Sequence, residues 1–161
     1  MIKKQDIKVR GFTLVELLIV MGILGVLTAL LIANISSGRE RARDAVRKSD
    51  FANIRNALRI YYNDYQQYPA SSGGNIMGCG AGGVLACSWA GGSFTAEGNT
   101  YMKKLPGNPS GENEYSYTQT LGGEGFTLVV EMENEGDKNI AESQTRCGVS
   151  LASDVYVTCE K

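Results

Sequence analysis

The sequence predicts an α+β fold in which one long N-terminal helix packs on an antiparallel sheet of three or four strands. Three observations predict it. Residues 12–33 are apolar with a single charge, Glu16, and residues 34–67 alternate apolar and polar groups with a helical period. The remainder contains short β-type segments between glycine-rich turns. A length of 161 residues fits one domain with an added segment.

The apolar run predicts a helix that crosses a membrane. Its 22 residues, 12–33, would extend about 33 Å at about 1.5 Å per residue, which is enough for a bilayer core. The preceding residues 1–11 carry four basic side chains, which favour a cytoplasmic N-terminus. We therefore interpret 1–11 as a leader and 12–33 as a membrane helix.

Residues 34–68 predict an amphipathic continuation of the same helix. The expected buried stripe has spacings of three and four or their multiples, with Phe51 on its flank; its members are Ala42, Val46, Ile54, Leu58, Tyr61 and Tyr65. Because the first proline is Pro69, we predict one helix from about Phe12 to Gln67.

Residues 69–161 form the predicted globular head. The glycine-rich part, 70–105, is expected to be a long loop. The part from 106 to 161 predicts a hairpin with strands at 115–120 and 126–133, an acidic loop at 134–139 and a final strand at 155–159.

The cysteine and histidine counts limit the chemistry. Four cysteines behind an export-like N-terminus predict two disulfides in an oxidising compartment. Three pairings are possible; closure of short loops favours Cys79–Cys87 and Cys147–Cys159, and crossed pairing stays open. The chain has no histidine, which removes Ser-His and Cys-His catalysis and the usual zinc sites, so we predict no enzyme.

The junction at residues 11–16 carries the most specific signal. Gly11-Phe12-Thr13-Leu14-Val15-Glu16 lies between the basic leader and the apolar helix. This arrangement resembles the class III signal of type IV pilins and of the related type II secretion pseudopilins. The resemblance implies that a prepilin peptidase cuts between Gly11 and Phe12 and methylates the new amine of Phe12. The Cys147–Cys159 loop is similar to the C-terminal disulfide loop of many pilins.

Glu16 is the predicted assembly residue. A carboxylate costs at least about 2.5 kcal/mol near the centre of a bilayer, and this one follows Phe12 by four residues. It can pair with the Phe12 amine of its own chain or of a neighbouring subunit. The alternative is a glutamate tolerated at the membrane edge.

Three further clusters have competing interpretations. The basic stretch could be a solvated face, contact anionic lipid, pair with the acidic part of an adjacent subunit or, less favoured, bind DNA; it comprises Arg39, Arg41, Arg43, Arg47 and Lys48. The tyrosines are expected to pack the helix on the sheet, and the alternative is electron conduction along stacked rings; they are Tyr61, Tyr62, Tyr65 and Tyr68. The acidic run favours a solvated turn over a calcium site; it contains Glu131, Glu133, Glu135 and Asp137. No metal or cofactor is predicted.

The resemblance implies a structural subunit, a prepilin, of a type IV pilus that polymerises through its N-terminal helix for adhesion, motility or DNA uptake. Its expected partners are prepilin peptidase, other copies of itself, the pilus assembly platform in the cytoplasmic membrane and minor pilins. The external surface, cell or DNA that it meets is left unassigned. It would span the cytoplasmic membrane once before assembly and be extracellular afterwards. The alternatives are a pseudopilin of a type II secretion system and a membrane-anchored extracytoplasmic binding domain that does not polymerise.

Overall fold

The computed structural model describes residues 11–80, 82–111 and 114–161, with only the backbone for 31–34. The basic leader, residues 1–10, lies outside the described part. The two helices, one 3₁₀ turn and eight strands follow one another in this order: α1 (Leu14–Tyr65), β1 (Ser71–Ser72), β2 (Asn75–Cys79), β3 (Leu85–Ala86), β4 (Phe94–Ala96), β5 (Asn99–Met102), β6 (Ser116–Thr120), the 3₁₀ turn (Leu121–Gly123), β7 (Gly125–Glu131), α2 (Lys138–Cys147) and β8 (Val155–Glu160). The α+β prediction is confirmed.

Helix α1 has 52 residues and no break, as the absence of proline predicts. It begins one residue after Thr13, whose hydroxyl accepts the N–H of Glu16 at 3.2 Å and so caps the first turn. Compactness divides the chain into two units, with the boundary between Gly38 and Arg39. The predicted boundaries between leader, membrane helix, amphipathic helix and head stay predictions.

The main sheet of the head is antiparallel with strand order β6-β7-β8. The predicted hairpin is present as β6 and β7, which pair from Ser116 with Val129 to Thr120 with Gly125. Strand β8 adds to the other side of β7, pairing Glu131 with Val155. Alternate residues of β7 are buried, among them Phe126, Leu128 and Val130, so one face of the sheet forms the core.

Both edges of this sheet are covered. At the β6 edge, the N–H of Tyr117 donates to the carbonyl of Gly74 at 2.8 Å and the N–H of Gln119 donates to Ser71 Oγ at 3.1 Å. At the β8 edge, the N–H of Val157 donates to Ser143 Oγ of α2 at 3.2 Å. Covered edges do not offer a free ladder to another chain.

The expectation of a long loop over 70–105 is wrong. This segment contains β1 to β5, which form a three-stranded sheet and a two-stranded sheet. Its glycines make tight turns rather than disorder; Gly73 and Gly74, between β1 and β2, have φ of 56° and 81°. Between the turns, apolar residues such as Ile76 and Phe94 are fully buried and supply the packing energy of a regular element.

The acidic loop predicted at 134–139 is in part helix α2, which begins at Lys138. Asp137 caps it by accepting the N–H of Asn139 at 2.9 Å, and Gly148 ends it in a left-handed conformation.

The buried stripe of α1 also differs from the prediction in its first turns. Phe51, Ile54 and Leu58 are buried as expected, but Ala42 and Val46 are exposed. Steps of four and three back from Phe51 lead to Arg47 and Asp44, which are buried instead. The large side chains Phe51, Ile54 and Leu58 decide which face of the helix is buried, and the smaller Ala42 and Val46 lie on another face.

Candidate functional site

The Gly11–Phe12 bond precedes helix α1 and is exposed. Neither residue has regular secondary structure, and the Phe12 side chain is 80% exposed. Among the residues that the structure describes, no atom lies within 4 Å of a Cβ added at Gly11. The packing of this chain therefore does not require glycine at position 11.

Thr13 and Glu16 occupy the N-cap and the third position of helix α1. The spacing Thr-x-x-Glu is the capping-box pattern, which sequence reasoning could have found at 13–16 and did not. A carboxylate in the first turn is also favoured by the helix dipole. Because the helix begins at Leu14, Phe12 is not on the helix in this structure. The predicted pairing of Glu16 with a Phe12 amine, which exists only after cleavage, stays a prediction.

The first part of α1 presents apolar side chains on every side. An 18-residue window of this helix has a mean hydropathy of 2.6, apolar enough to cross a membrane, and none of that window is buried within the chain. The hydroxyl of Thr28 donates to the carbonyl of Leu24 at 2.7 Å, which satisfies the one polar hydrogen of that turn. Such a surface requires lipid or other protein around it.

The basic stretch of α1 is divided between interior and surface. Arg47 is 1% exposed; its Nη2 donates to Glu133 Oε1 at 2.6 Å, and Nη1 pairs with Asp44. Its Nε donates to Asn108 Oδ1 at 2.8 Å and its Nη2 to Ser110 Oγ at 3.0 Å. A buried guanidinium with this many partners is fully engaged within the subunit.

Two more cations of the stretch also pair within the head. Arg43 binds Glu133 through two nitrogens, with Nε to Oε1 at 2.8 Å, and Lys48 pairs with Asp137. Arg39 and Arg41 are exposed. In this conformation Arg43, Arg47 and Lys48 therefore have acidic partners within the subunit, whereas the sequence left pairing with an adjacent subunit open for the whole stretch.

Two of the partners, Glu133 and Asp137, belong to the acidic run in which calcium was the alternative to a solvated turn. The hydrogen bond from Arg43 lowers the pKa of Glu133 to about 2, with a further contribution from Arg47. The hydrogen bond from Lys48 lowers the pKa of Asp137. Across residues 11–80, 82–111 and 114–161 no group of three or more acidic or cysteine side chains is arranged to hold a metal. Sequence reasoning missed that Asp44 and Arg47 are buried, and Arg47 is one of the two cations that bind Glu133.

The four cysteines form Cys79–Cys87, with the Cα atoms 5.2 Å apart, and Cys147–Cys159, at 5.8 Å. These are the pairs that short-loop closure favoured. The first closes the loop between β2 and β3, and the second joins the end of α2 to β8. Each disulfide thus holds a small element to its neighbour.

The tyrosines pack α1 on the strands. The Tyr61 ring stacks on Phe94 with centroids 5.5 Å apart, and the Tyr68 ring meets Phe126 edge-on at 4.8 Å. The hydroxyl of Tyr62 donates to Glu124 at 3.0 Å.

Comparison with known proteins gives relatives over nearly the whole chain. Residues 7–32 match the family described as the prokaryotic N-terminal methylation motif. Type II secretion system core protein G of Escherichia coli is 30% identical over 145 residues, covering 89% of this chain and 94% of that protein. The same protein of Pseudomonas aeruginosa is 34% identical, covering 66% and 71%, and that of Vibrio cholerae is 30% identical, covering 83% and 89%. No solved structure matches.

The junction, the exposed apolar helix and the α+β head define the class of pilin-like structural subunits, which are not enzymes. Within that class, the chain belongs to the family of type II secretion system core protein G. These relatives favour the pseudopilin alternative over the type IV pilus subunit that the sequence analysis preferred.

Proposed function

We propose that the chain is a pseudopilin, a filament subunit that serves a type II secretion system. The observation that carries the proposal is the combination of a prepilin junction with a relative, named as core protein G, that is matched over 94% of its length. The exposed apolar surface of α1 supports it, because a lone soluble domain would not keep such a surface.

Processing would take place at Gly11. The scissile bond is exposed and lies outside the helix, so a membrane-embedded prepilin peptidase could bind it as extended chain. Cleavage would leave Phe12 as the N-terminal residue, with an α-amine whose ordinary pKa is about 8. The same enzyme would methylate that amine, which keeps its positive charge.

Glu16 would pair with the Phe12 amine of a neighbouring copy. Thr13 caps the helix in the uncut chain and holds Phe12 off it, which supports pairing between subunits over pairing within one. In an apolar bundle, the carboxylate and the amine would each lack water. Their mutual attraction would then determine which copies can be neighbours.

The chain would span the cytoplasmic membrane once, with a cytoplasmic N-terminus, and afterwards enter a periplasmic filament. Its partners would be prepilin peptidase, other copies of itself, the assembly platform in the cytoplasmic membrane and minor subunits of the same class. The folded head would lie on the periplasmic side, where oxidising conditions permit Cys79–Cys87 and Cys147–Cys159.

Deletion of the gene in its native host tests the proposal. We expect folded exoproteins to accumulate in the periplasm and surface fibres to persist in sheared material. Complementation with the full chain should restore secretion. Unchanged secretion together with lost fibres would contradict the pseudopilin function.

A type IV pilus subunit is the second candidate. The Cys147–Cys159 disulfide favours it, because it is similar to the C-terminal disulfide loop of many pilins. The same deletion separates the two, since loss of fibres without loss of secretion is the result expected of a pilin.

A further inference from the structure

A cleft of about 350 Å³ lies in the head where the end of α1 meets strand β2 and the 3₁₀ turn. Four uncharged polar side chains line it: Tyr61, Gln67, Tyr68 and Gln119. The other lining residues are Met77, an alanine and three glycines, so no charged side chain borders the cleft among the residues that the structure describes. Its volume falls within the range of small-ligand sites, about 300–1,000 Å³.

The two amides of the cleft can still bind a ligand. Nε2 of Gln119 donates to the carbonyl of Tyr68 at 2.7 Å, which holds this amide in place. Within the described part of the chain, Oε1 of Gln119 and the side chain of Gln67 make no hydrogen bond. One carbonyl oxygen and one complete amide are therefore left for a ligand, and together they can both accept and donate.

The Tyr61 ring offers the cleft its polar end. This ring is stacked on Tyr65 and on Phe94, with centroids 4.4 and 5.5 Å apart. These contacts use the faces of the ring, so the hydroxyl end is the part that a ligand can meet.

Two strained residues border the cleft. Gln66 precedes Gln67, Leu121 precedes Gly122, and each has a φ of 55°. Glycine adopts this left-handed conformation without steric cost, whereas a residue with a Cβ keeps it only where the surrounding structure imposes it. Such strain is found at binding sites more often than elsewhere, which supports a role for the cleft in binding.

The lining disfavours three classes of ligand. Nucleic acids and phosphates are bound mainly by cationic side chains, and no described residue of the lining is charged. A peptide strand adds to an unpaired sheet edge, but β2 is paired on both sides, with β1 and β3. An amphipathic helix needs an apolar groove, whereas amides and phenols dominate here. A neutral ligand rich in hydroxyl groups fits best, because hydroxyl groups donate and accept as the amides do.

We propose that this cleft binds one pyranose unit of a neutral glycan chain, with Gln67 and Gln119 bonding its hydroxyl groups. Val84 and Leu121 each follow or precede a lining glycine and are 70% and 66% exposed. They supply apolar surface beside the cleft for the C–H groups of the adjoining sugar units. The inference goes beyond the proposed secretion function and does not depend on a filament, since the cleft lies within one head.

The test is saturation transfer difference NMR on the full chain in dodecylphosphocholine micelles, a detergent without a sugar head group. The probes are maltotriose and chitotriose, both neutral, of which the second carries N-acetyl groups. We expect saturation to reach at least one of them. Gln67→Ala should weaken binding about fivefold through the loss of one hydrogen bond, and Met77→Phe should abolish it by filling the cleft. Asn63→Ala is the matched control, because Asn63 is an exposed amide of α1 that does not line the cleft.

Each result has a distinct meaning. Circular dichroism and intact disulfides verify that every variant is folded. Binding that Gln67→Ala weakens and Asn63→Ala does not supports the site, and the saccharide that binds identifies the kind of glycan. Saturation of neither saccharide, or equal binding by Gln67→Ala and the unmutated chain, would overturn the proposal and leave the secretion function standing. Saturation of a neutral tetra-alanine peptide in place of the saccharides would also overturn it, because the cleft would then be a peptide site.

Discussion

At the scale of single residues, Gly11 is expected to matter for recognition by prepilin peptidase and not for the fold of its own chain. No atom of residues 12–80, 82–111 or 114–161 lies within 4 Å of a Cβ added at Gly11, so a larger side chain does not disturb the fold of that part. We expect Gly11→Val to leave the precursor uncut while membrane insertion is unchanged. Mass spectrometry of the membrane fraction should then give the full chain, whereas the unmutated protein should begin at a methylated Phe12. A variant that is still cleaved at this bond would contradict the requirement for glycine, and unmutated protein that begins at a residue other than Phe12 would contradict the assigned site.

Because of Glu133, the free energy of unfolding of the head is expected to fall at acid pH. Its pKa is about 2 in the folded head against an ordinary value of 4.5, because Arg43 and Arg47 bond the ionised form. A lowered pKa means that the stabilisation is present above about pH 4.5 and is lost as the pH falls through about 2. Glu133→Gln should flatten the decline of the free energy of unfolding between these values. Acid titrations of both proteins, followed by circular dichroism, would measure this; equal slopes would contradict it.

At the scale of elements, the Asp44–Arg47 pair joins α1 to the loop that follows β7. The N–H groups of Glu133 and Asn134 donate to the Asp44 carboxylate at 3.1 and 2.9 Å, so the loop is bound on both its backbone and its side chain. Arg47→Ala should lower the free energy of unfolding by about 3–5 kcal/mol, because Asp44 would stay buried without its partner. Arg39→Ala, at an exposed position, should change it by less than about 0.5 kcal/mol. Equal effects in urea unfolding would show that the pair is not the connection.

The disulfides connect elements that are too short to be stable alone. Non-reducing peptide mapping should recover Cys79 with Cys87 and Cys147 with Cys159. Replacing Cys147 and Cys159 together by serine should cost about 2–3 kcal/mol, because the stabilisation from a crosslink grows with loop length and this one spans a sequence separation of 12. A peptide that joins Cys79 to Cys147 would contradict the arrangement of α2 on β8.

At the scale of the whole molecule, a substitution at Glu16 distinguishes a subunit that polymerises from a protein that is only anchored in the membrane. Glu16→Ala removes a carboxylate from an apolar helix, which should be neutral or favourable for a lone membrane protein. In a filament it would leave the Phe12 amine of a neighbour unpaired, a cost on the order of 3–5 kcal/mol per subunit if it is fully buried. We expect filaments to disappear while the membrane fraction keeps a folded head. Filament counts beside a blot of membranes, in cells without the unmutated gene, measure both.

Normal assembly of Glu16→Ala would remove the main physical argument for a pairing between subunits. Glu16→Gln is the matched variant, because it keeps the size and the capping position of the side chain. If Glu16→Gln also fails to assemble, loss of charge is the cause. If it assembles, the charge is not required.

The sequence alone determined the elements that depend on local pattern. The apolar run, the absence of proline before Pro69 and the junction at Gly11 predicted helix α1 and the pilin-like class, because helix period and membrane length are local properties. They did not separate the pseudopilin from the type IV pilus subunit that the sequence analysis preferred. The hairpin of β6 and β7 followed from alternation around a glycine turn for the same reason.

Tertiary structure alone decided which side of α1 faces the head and what the acidic residues do. Large side chains at Phe51 and Leu58 set the buried face, and this brought Arg47 to Glu133 across 86 positions of sequence. The five short strands of 71–102 are likewise held by contacts with distant residues, such as Gly74 with Tyr117. Strands this short have too little pairing of their own to be predicted, so their stability comes from the core that they help to close.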